Sequence, residues 1–224
     1  MIKKFLIALV VVVGGVLVFA ATRPDQYHIE RSAKMDAPAP VVFSQIDDLH
    51  AWTAWSPWEK LDPNAKMTYS GAPRGVGAKY AWQGNRQVGK GNVEIVESTP
   101  STLVRCKLEF IEPFAATAEA KYVLVPEGDH ATTVTWSMDG KNNLVGKVFS
   151  LFMNMDKQVG TQFESGLAAL SRVSAAEARK QEELAEAKAK AESEAKAKAE
   201  AQAAAEKAAA PKTKAGHKGR RKPR

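Results

Sequence analysis

The chain begins with an uninterrupted apolar run over residues 5–21, directly behind Lys3 and Lys4. After Arg23-Pro24-Asp25 the pattern changes to alternation. Residues 27–35 set Ile29, Arg31 and Ala33 against His28, Glu30 and Ser32, which predicts a strand covered on one face. Asp36-Ala37-Pro38 predicts a helix start, with Asp36 as the cap and the proline in the first turn. Val41, Val42, Phe43 and Ile46 follow at helical spacing. Asp47-Asp48-Leu49 ends this helix and opens a second short turn through Trp55, which Pro57 is expected to stop. Period two then governs residues 67–69, 77–83, 86–97, 103–111, 116–125 and 132–138. Gly84-Asn85 is a hairpin signal, and Gly89 and Gly91 predict a bulge or sharp bend. From Leu144 the period becomes helical. Leu144, Val148, Leu151, Phe152, Met155, Val159, Phe163, Leu167 and Leu170 form one stripe, predicting a single long helix of about seven turns.

Strands that follow one another by hairpins make an antiparallel sheet with one apolar face. That face needs cover, and the C-terminal helix is the element long enough to supply it. The expected fold is α+β: a curved antiparallel sheet of about seven strands wrapped on a long C-terminal helix. This layout resembles the helix-grip fold of the START-like polyketide cyclase/dehydrase (SRPBCC) superfamily. The resemblance rests on residues 29–43, the Trp52-to-Trp58 segment, Gly75-Val76-Gly77, Val134-Thr135-Trp136-Ser137-Met138 and the helix over 147–170. It covers residues 27–172. It implies a scaffold built around an apolar ligand cavity, but it does not choose among the superfamily's carriers, binders and cyclases.

Charge divides the chain further. Residues 175–224 hold 14 basic against 8 acidic side chains, a net of +6 within the chain's +7. Residues 1–174 carry 18 against 17, so the basic character belongs to the tail. The expected organisation is an anchor or signal segment (1–22), a helix-grip domain (23–174) and an Ala/Lys/Glu-rich tail (175–224). Leu184 is the single large apolar side chain of residues 175–210, so a coiled coil is excluded and a solvated helix ending at Pro211 is expected. Residues 212–224 are basic with no acid, and suit anionic lipid or a cell-wall polymer better than nucleic acid. Lys3-Lys4 before the apolar run predicts an uncleaved single-pass anchor through residues 5–21, in preference to a cleaved signal. The domain is then expected in the periplasm or at the cell exterior.

No catalytic set emerges. Cys106 is the sole cysteine, which excludes an internal disulfide and a cysteine metal cluster. His28, His50, His130 and His217 are scattered, and no metal or cofactor is called for. The expected inward strand positions carry no acid, which favours a non-catalytic binder or carrier of an apolar small molecule or lipid. The alternatives are a cyclase- or dehydratase-like enzyme using cavity tyrosines, and an envelope structural protein. The predicted lining from the sheet is Tyr80, Trp82, Val93, Cys106, Leu108, Tyr122, Val134 and Trp136. From the helix it is Phe152, Met155, Val159 and Phe163. Trp52 and Trp55 are expected either at the mouth or pinning their segment to the sheet edge.

Overall fold

The computed structural model describes residues 2–142, 144–152 and 154–209, without the side chains of 145, 149, 150, 152 and 206–209. Helix α1 (Ile2–Ala21) is long and apolar enough to cross a membrane, a test that a signal sequence also passes. Seven strands follow: β1 (Gln26–Met35), β2 (Lys66–Gly71), β3 (Ala78–Gln83), β4 (Lys90–Thr99), β5 (Leu103–Glu112), β6 (Ala116–Pro126) and β7 (Thr132–Lys141). They form one antiparallel curved sheet in the order β1-β7-β6-β5-β4-β3-β2. Helix α2 (Ala39–Asp47) and two 3-10 turns, Ala51–Ala54 and Pro57–Lys60, connect β1 to β2, and helices α3 (Leu144–Phe152) and α4 (Met155–Ala209) close the chain.

Four local expectations are corrected. Pro38, not Asp36, occupies the cap position of α2, and no side-chain bond caps that end. Pro57 opens a second 3-10 turn instead of only stopping the first. Its fixed φ suits the first position of such a turn as well as it blocks continuation of the previous one. Gly84-Asn85 begins a longer loop between β3 and β4 rather than a two-residue hairpin. The Asn85 side chain turns back to accept from the backbone N–H of Gln87 and Val88, while its own N–H donates to Asp62 (2.6 Å). Finally, the stripe from Leu144 to Leu170 is carried by two helices, not one. The Asn154 side chain accepts from the N–H of Lys157 (2.9 Å), so a start signal inside the stripe caps a new helix.

The register gathers the two ends of the sheet. One end holds Gln26, Lys141, Ala116, Glu112, Lys90, Gln83 and Lys66; Gln26 follows α1, so this is the α1-proximal end. The other holds Met35, Thr132, Pro126, Leu103 and Thr99. The predicted bulge is present, with register shifts at Lys90/Gly91 and at Ile95/Glu97. Gly75-Val76-Gly77 joins α2 to the sheet. The Gly75 N–H donates to the Asp47 carbonyl (2.9 Å) and the Gly77 N–H to that of Ile95 (2.8 Å). Both glycines have positive φ (69° and 87°), which is why the turn takes glycine twice.

The compact part of the chain ends at Ala178. Beyond it α4 continues, with every described side chain from residue 179 exposed. Lys188 and Glu192 pair one turn apart at 4.0 Å. Pro211 and the basic segment 212–224 lie outside the described residues.

Candidate functional site

Alternation along the strands puts all eight predicted sheet residues on the concave, covered face. Three rows lie in its middle, between that of Trp82, Gly91 and Phe110 and that of Ala33, Val134 and Leu124. The α1-proximal row of the three runs Tyr27, Gly140, Ala118, Leu108, Val93, Tyr80. The second runs Ile29, Met138, Ala120, Cys106, Ile95, and the third Arg31, Trp136, Tyr122, Val104.

The third row is closed. Trp136 stacks on Phe163 of α4 (4.1 Å between centroids, 10°) and meets Trp55, Trp58 and Tyr122 edge-on or tilted at 5.0–5.8 Å. Val104, Tyr122 and Val134 are fully buried. Arg31 clamps this row's edge to α4: its guanidinium donates to Glu164 (2.8 Å) and to both carboxylate oxygens of Asp156 (3.1 and 3.2 Å), lying across Gly160.

Trp52 and Trp55 belong to this closed part. They are 6% and 1% exposed, so neither stands at an opening. Their indole N–H groups donate to the carbonyls of Ile46 (2.9 Å) and Gln45 (3.0 Å), which the C-terminus of α2 leaves without helical partners. The tryptophan cluster therefore pins the 3-10 turns to the helix and the core.

The α1-proximal row is more open. Tyr27, Tyr80 and Leu108 are only half-buried, as is Phe110 beside them on β5. Aromatic rings here lie flat over glycines: Trp82 over Gly91, Tyr27 over Gly140. The Trp82 indole donates to the Val88 carbonyl (3.2 Å) and so holds the β3–β4 loop. On the helical side, Val159 is half-buried against the core, whereas Met155 is 37% exposed and does not line the face as expected. The break before α4 accounts for this, since the stripe no longer keeps one direction through Met155. The side chain of Phe152 lies outside the described residues.

Electrostatically the face is neutral. Burial pushes the Tyr80 phenol up, with Glu59, Tyr69 and Cys106 adding to the effect. Burial also raises the Cys106 thiol, and it holds Tyr122 well above its ordinary value. All three stay protonated near neutral pH. The buried Tyr122 hydroxyl and Trp136 Nε1 have no partner among the described residues. Replacing Tyr122 by Phe should therefore leave the melting temperature unchanged or slightly higher, because no hydrogen bond is lost and a buried unpaired group is removed. A clear fall in a thermal-melt series would show that something other than the protein occupies that hydroxyl.

Sequence reasoning searched the strands for acids and missed two on the connections. Asp47 is buried at the end of α2 and accepts from Ser98 (2.5 Å). Glu59, in the second 3-10 turn, is partly buried; burial raises its pKa, and it acts on both Tyr69 and Tyr80. A 3-10 turn has no period long enough to announce which side its acid faces. His50 stacks on Tyr69 (4.0 Å), the register partner of Tyr80 on the same face, and is bonded to Asp48 (3.1 Å).

A seven-stranded sheet gripping a C-terminal helix, with an apolar concave face, defines a helix-grip α+β protein. Residues 26–175 match the family described as polyketide cyclase/dehydrase and lipid transport, and the chain belongs to that family. Among solved structures, a Thermobifida fusca protein is 24% identical, covering 65% of this chain and 92% of its own, with a TM-score of 0.50. A Chromobacterium violaceum protein is 15% identical (68% and 99% covered, TM-score 0.47). Norcoclaurine synthase from Thalictrum flavum is 12% identical (66% and 92%, TM-score 0.49). No curated protein matches the chain.

Proposed function

We propose that this protein is a membrane-anchored, non-catalytic binder or carrier of an apolar small molecule or lipid. The observation that carries the reading is the graded concave face. One end is sealed by the Trp136–Phe163 stack, while the α1-proximal row leaves Tyr27, Tyr80, Leu108 and Phe110 short of full burial. Sites for such ligands are concave and mostly apolar, with few polar groups. The phenols and thiol, held protonated by burial, suit a neutral ligand and are poorly poised for proton transfer at neutral pH. In this reading α1 is the anchor and the domain lies outside the cytoplasm, so a cytoplasm-dependent reporter fused after Arg224 stays silent. The basic end of the tail then meets anionic lipid or a cell-wall polymer.

The test is titration of the full-length chain in nanodiscs with isoprenoid alcohols, fatty acids and polycyclic aromatics, followed by calorimetry and thermal shift. Binding should raise the melting temperature. Leu108→Trp fills the open row, and because the site is half-exposed the added volume has room to lean outward. It should weaken binding by about tenfold or more, the effect of losing on the order of 1.4 kcal/mol, while the fold persists. Equal affinity in the variant would move the ligand away from this row.

The enzyme reading keeps one specific observation, Glu59 with its pKa raised by burial and its charge acting on Tyr69 and Tyr80. An acid coupled to phenols suits general acid–base work. Turnover of a bound ligand that Glu59→Gln abolishes without changing affinity would establish it over the carrier reading.

A further inference from the structure

The α1-proximal end of the domain carries more exposed apolar surface than the strand pattern requires. At the end of β5, Ile111 is 46% exposed, and on the β5–β6 turn Phe114 is 54% exposed. Leu144, at the start of α3, is 50% exposed. Lys147 is the single charged residue of α3, and it does not face solvent. It is buried, with its ammonium on Asp25 (2.5 Å) and on the carbonyl of Ala21 (3.3 Å).

These contacts tie α3 to the exit of α1. The N–H of Asn142 donates to the Asp25 carbonyl (2.8 Å), and its side-chain amide to that of Pro24 (3.4 Å). The last turn of α1 packs against α3, and Ala20 is fully buried. Only residues 22–25 separate α1 from β1, so the sheet end cannot move far from the end of the anchor. The strand order places β6, and with it the β5–β6 turn, two strand spacings from β1, roughly 10 Å. Apolar side chains are also exposed at the opposite end, at Val76 and Val125, but they stand singly, as on most surfaces.

We propose that α3 and the β5–β6 turn lie in the headgroup–acyl boundary of the bilayer that α1 crosses. The half-uncovered row of the concave face then opens onto lipid instead of water. The proposal rests on the reading of α1 as a spanning helix. A helix whose one charge is turned inward, held against an anchor, is suited to lie in the interface plane. Phe114 and Ile111 enter the same layer beside it. A ligand passing between bilayer and protein would not cross water.

The experiment uses the full-length chain in vesicles of phosphatidylethanolamine and phosphatidylglycerol. Cys106 is buried, so a cysteine introduced at an exposed position takes a nitrobenzoxadiazole label selectively. Phe114→Cys and Leu144→Cys report on the α1-proximal end, and Val125→Cys on the opposite end. Native tryptophan emission checks the fold of each variant. Doxyl-labelled lipid should quench labels at 114 and 144 by about threefold more than at 125, as expected for side chains ~5–10 Å into the interface. Protein that floats with vesicles and resists alkaline carbonate, yet shows equal quenching at 114 and 125, overturns the docking and leaves the anchor intact. Protein stripped by carbonate overturns the anchor and the docking with it. A label at 114 that is shielded but insensitive to doxyl lipid would place a protein partner there and likewise reject the assignment.

Discussion

Trp136→Ala is expected to lower stability by about 3–5 kcal/mol, the range for truncating a large buried aromatic. Trp136 touches more of the aromatic cluster than any single helix residue does. It stacks on Phe163 at 4.1 Å and contacts Trp55, Trp58 and Tyr122 within 5.8 Å. It also lies against Gly166, where an added Cβ would come within 2.8 Å of the ring. Its removal leaves a hole between sheet and α4 that rigid neighbours cannot refill. For a domain of this size, about 2–4 °C per kcal/mol makes the fall in melting temperature roughly 10 °C or more. Trp136→Phe separates packing from polarity. It keeps most of the stack and deletes a buried N–H that has no partner among the described residues, a group that costs about 1–3 kcal/mol to bury unpaired. Its loss should be well under half that of the alanine variant. Equal losses in the two melts would mean that the N–H is satisfied by a bound molecule.

Gly91→Ala is expected to cost about 3 kcal/mol, at the upper end for overpacking. A Cβ at this position would overlap the Glu109 backbone oxygen on the neighbouring strand and the Trp82 ring above it. The backbone oxygen cannot swing aside as a side chain would, so β4 and β5 must separate locally. Trp82 must lift as well, which breaks its bond to the Val88 carbonyl and loosens the β3–β4 loop. The expected signature is a fall in melting temperature together with a red shift of tryptophan emission. Gly128→Ala is the contrast. Its positive φ of 75° strains an alanine, but nothing lies within 4 Å, so the loss should stay near 1 kcal/mol. Comparable losses at both positions would remove close approach as the cause at Gly91.

Much of the fold was legible because strand period is strict. A residue at Tyr80, Val93, Cys106, Tyr122 or Trp136 has to share a face with its neighbours two along, whatever the tertiary context. The eight sheet positions proposed as lining therefore share that face, and the hairpin order implied the antiparallel sheet. The helical side was less legible. Leu144 to Leu170 has one helical period, and period alone cannot show a break inside it. Asn154 supplied the cap, but an asparagine within a helical stripe also occurs without ending a helix. Met155 therefore sits exposed where lining was expected.

Strand period alone set which residues share each face of the sheet, and composition alone made the N-terminal run apolar throughout. These depend on local period and composition, which each segment carries alone. Tertiary packing set which end of the concave face is sealed, that Trp52 and Trp55 bond to α2 instead of guarding an opening, and that the charge of Glu59 acts on Tyr80. It also set α3 against α1 at the end of the sheet that carries the β5–β6 turn. Those relations are set by strand register and by packing between segments far apart in the chain. No local period encodes a distance between Phe114 and Ala21.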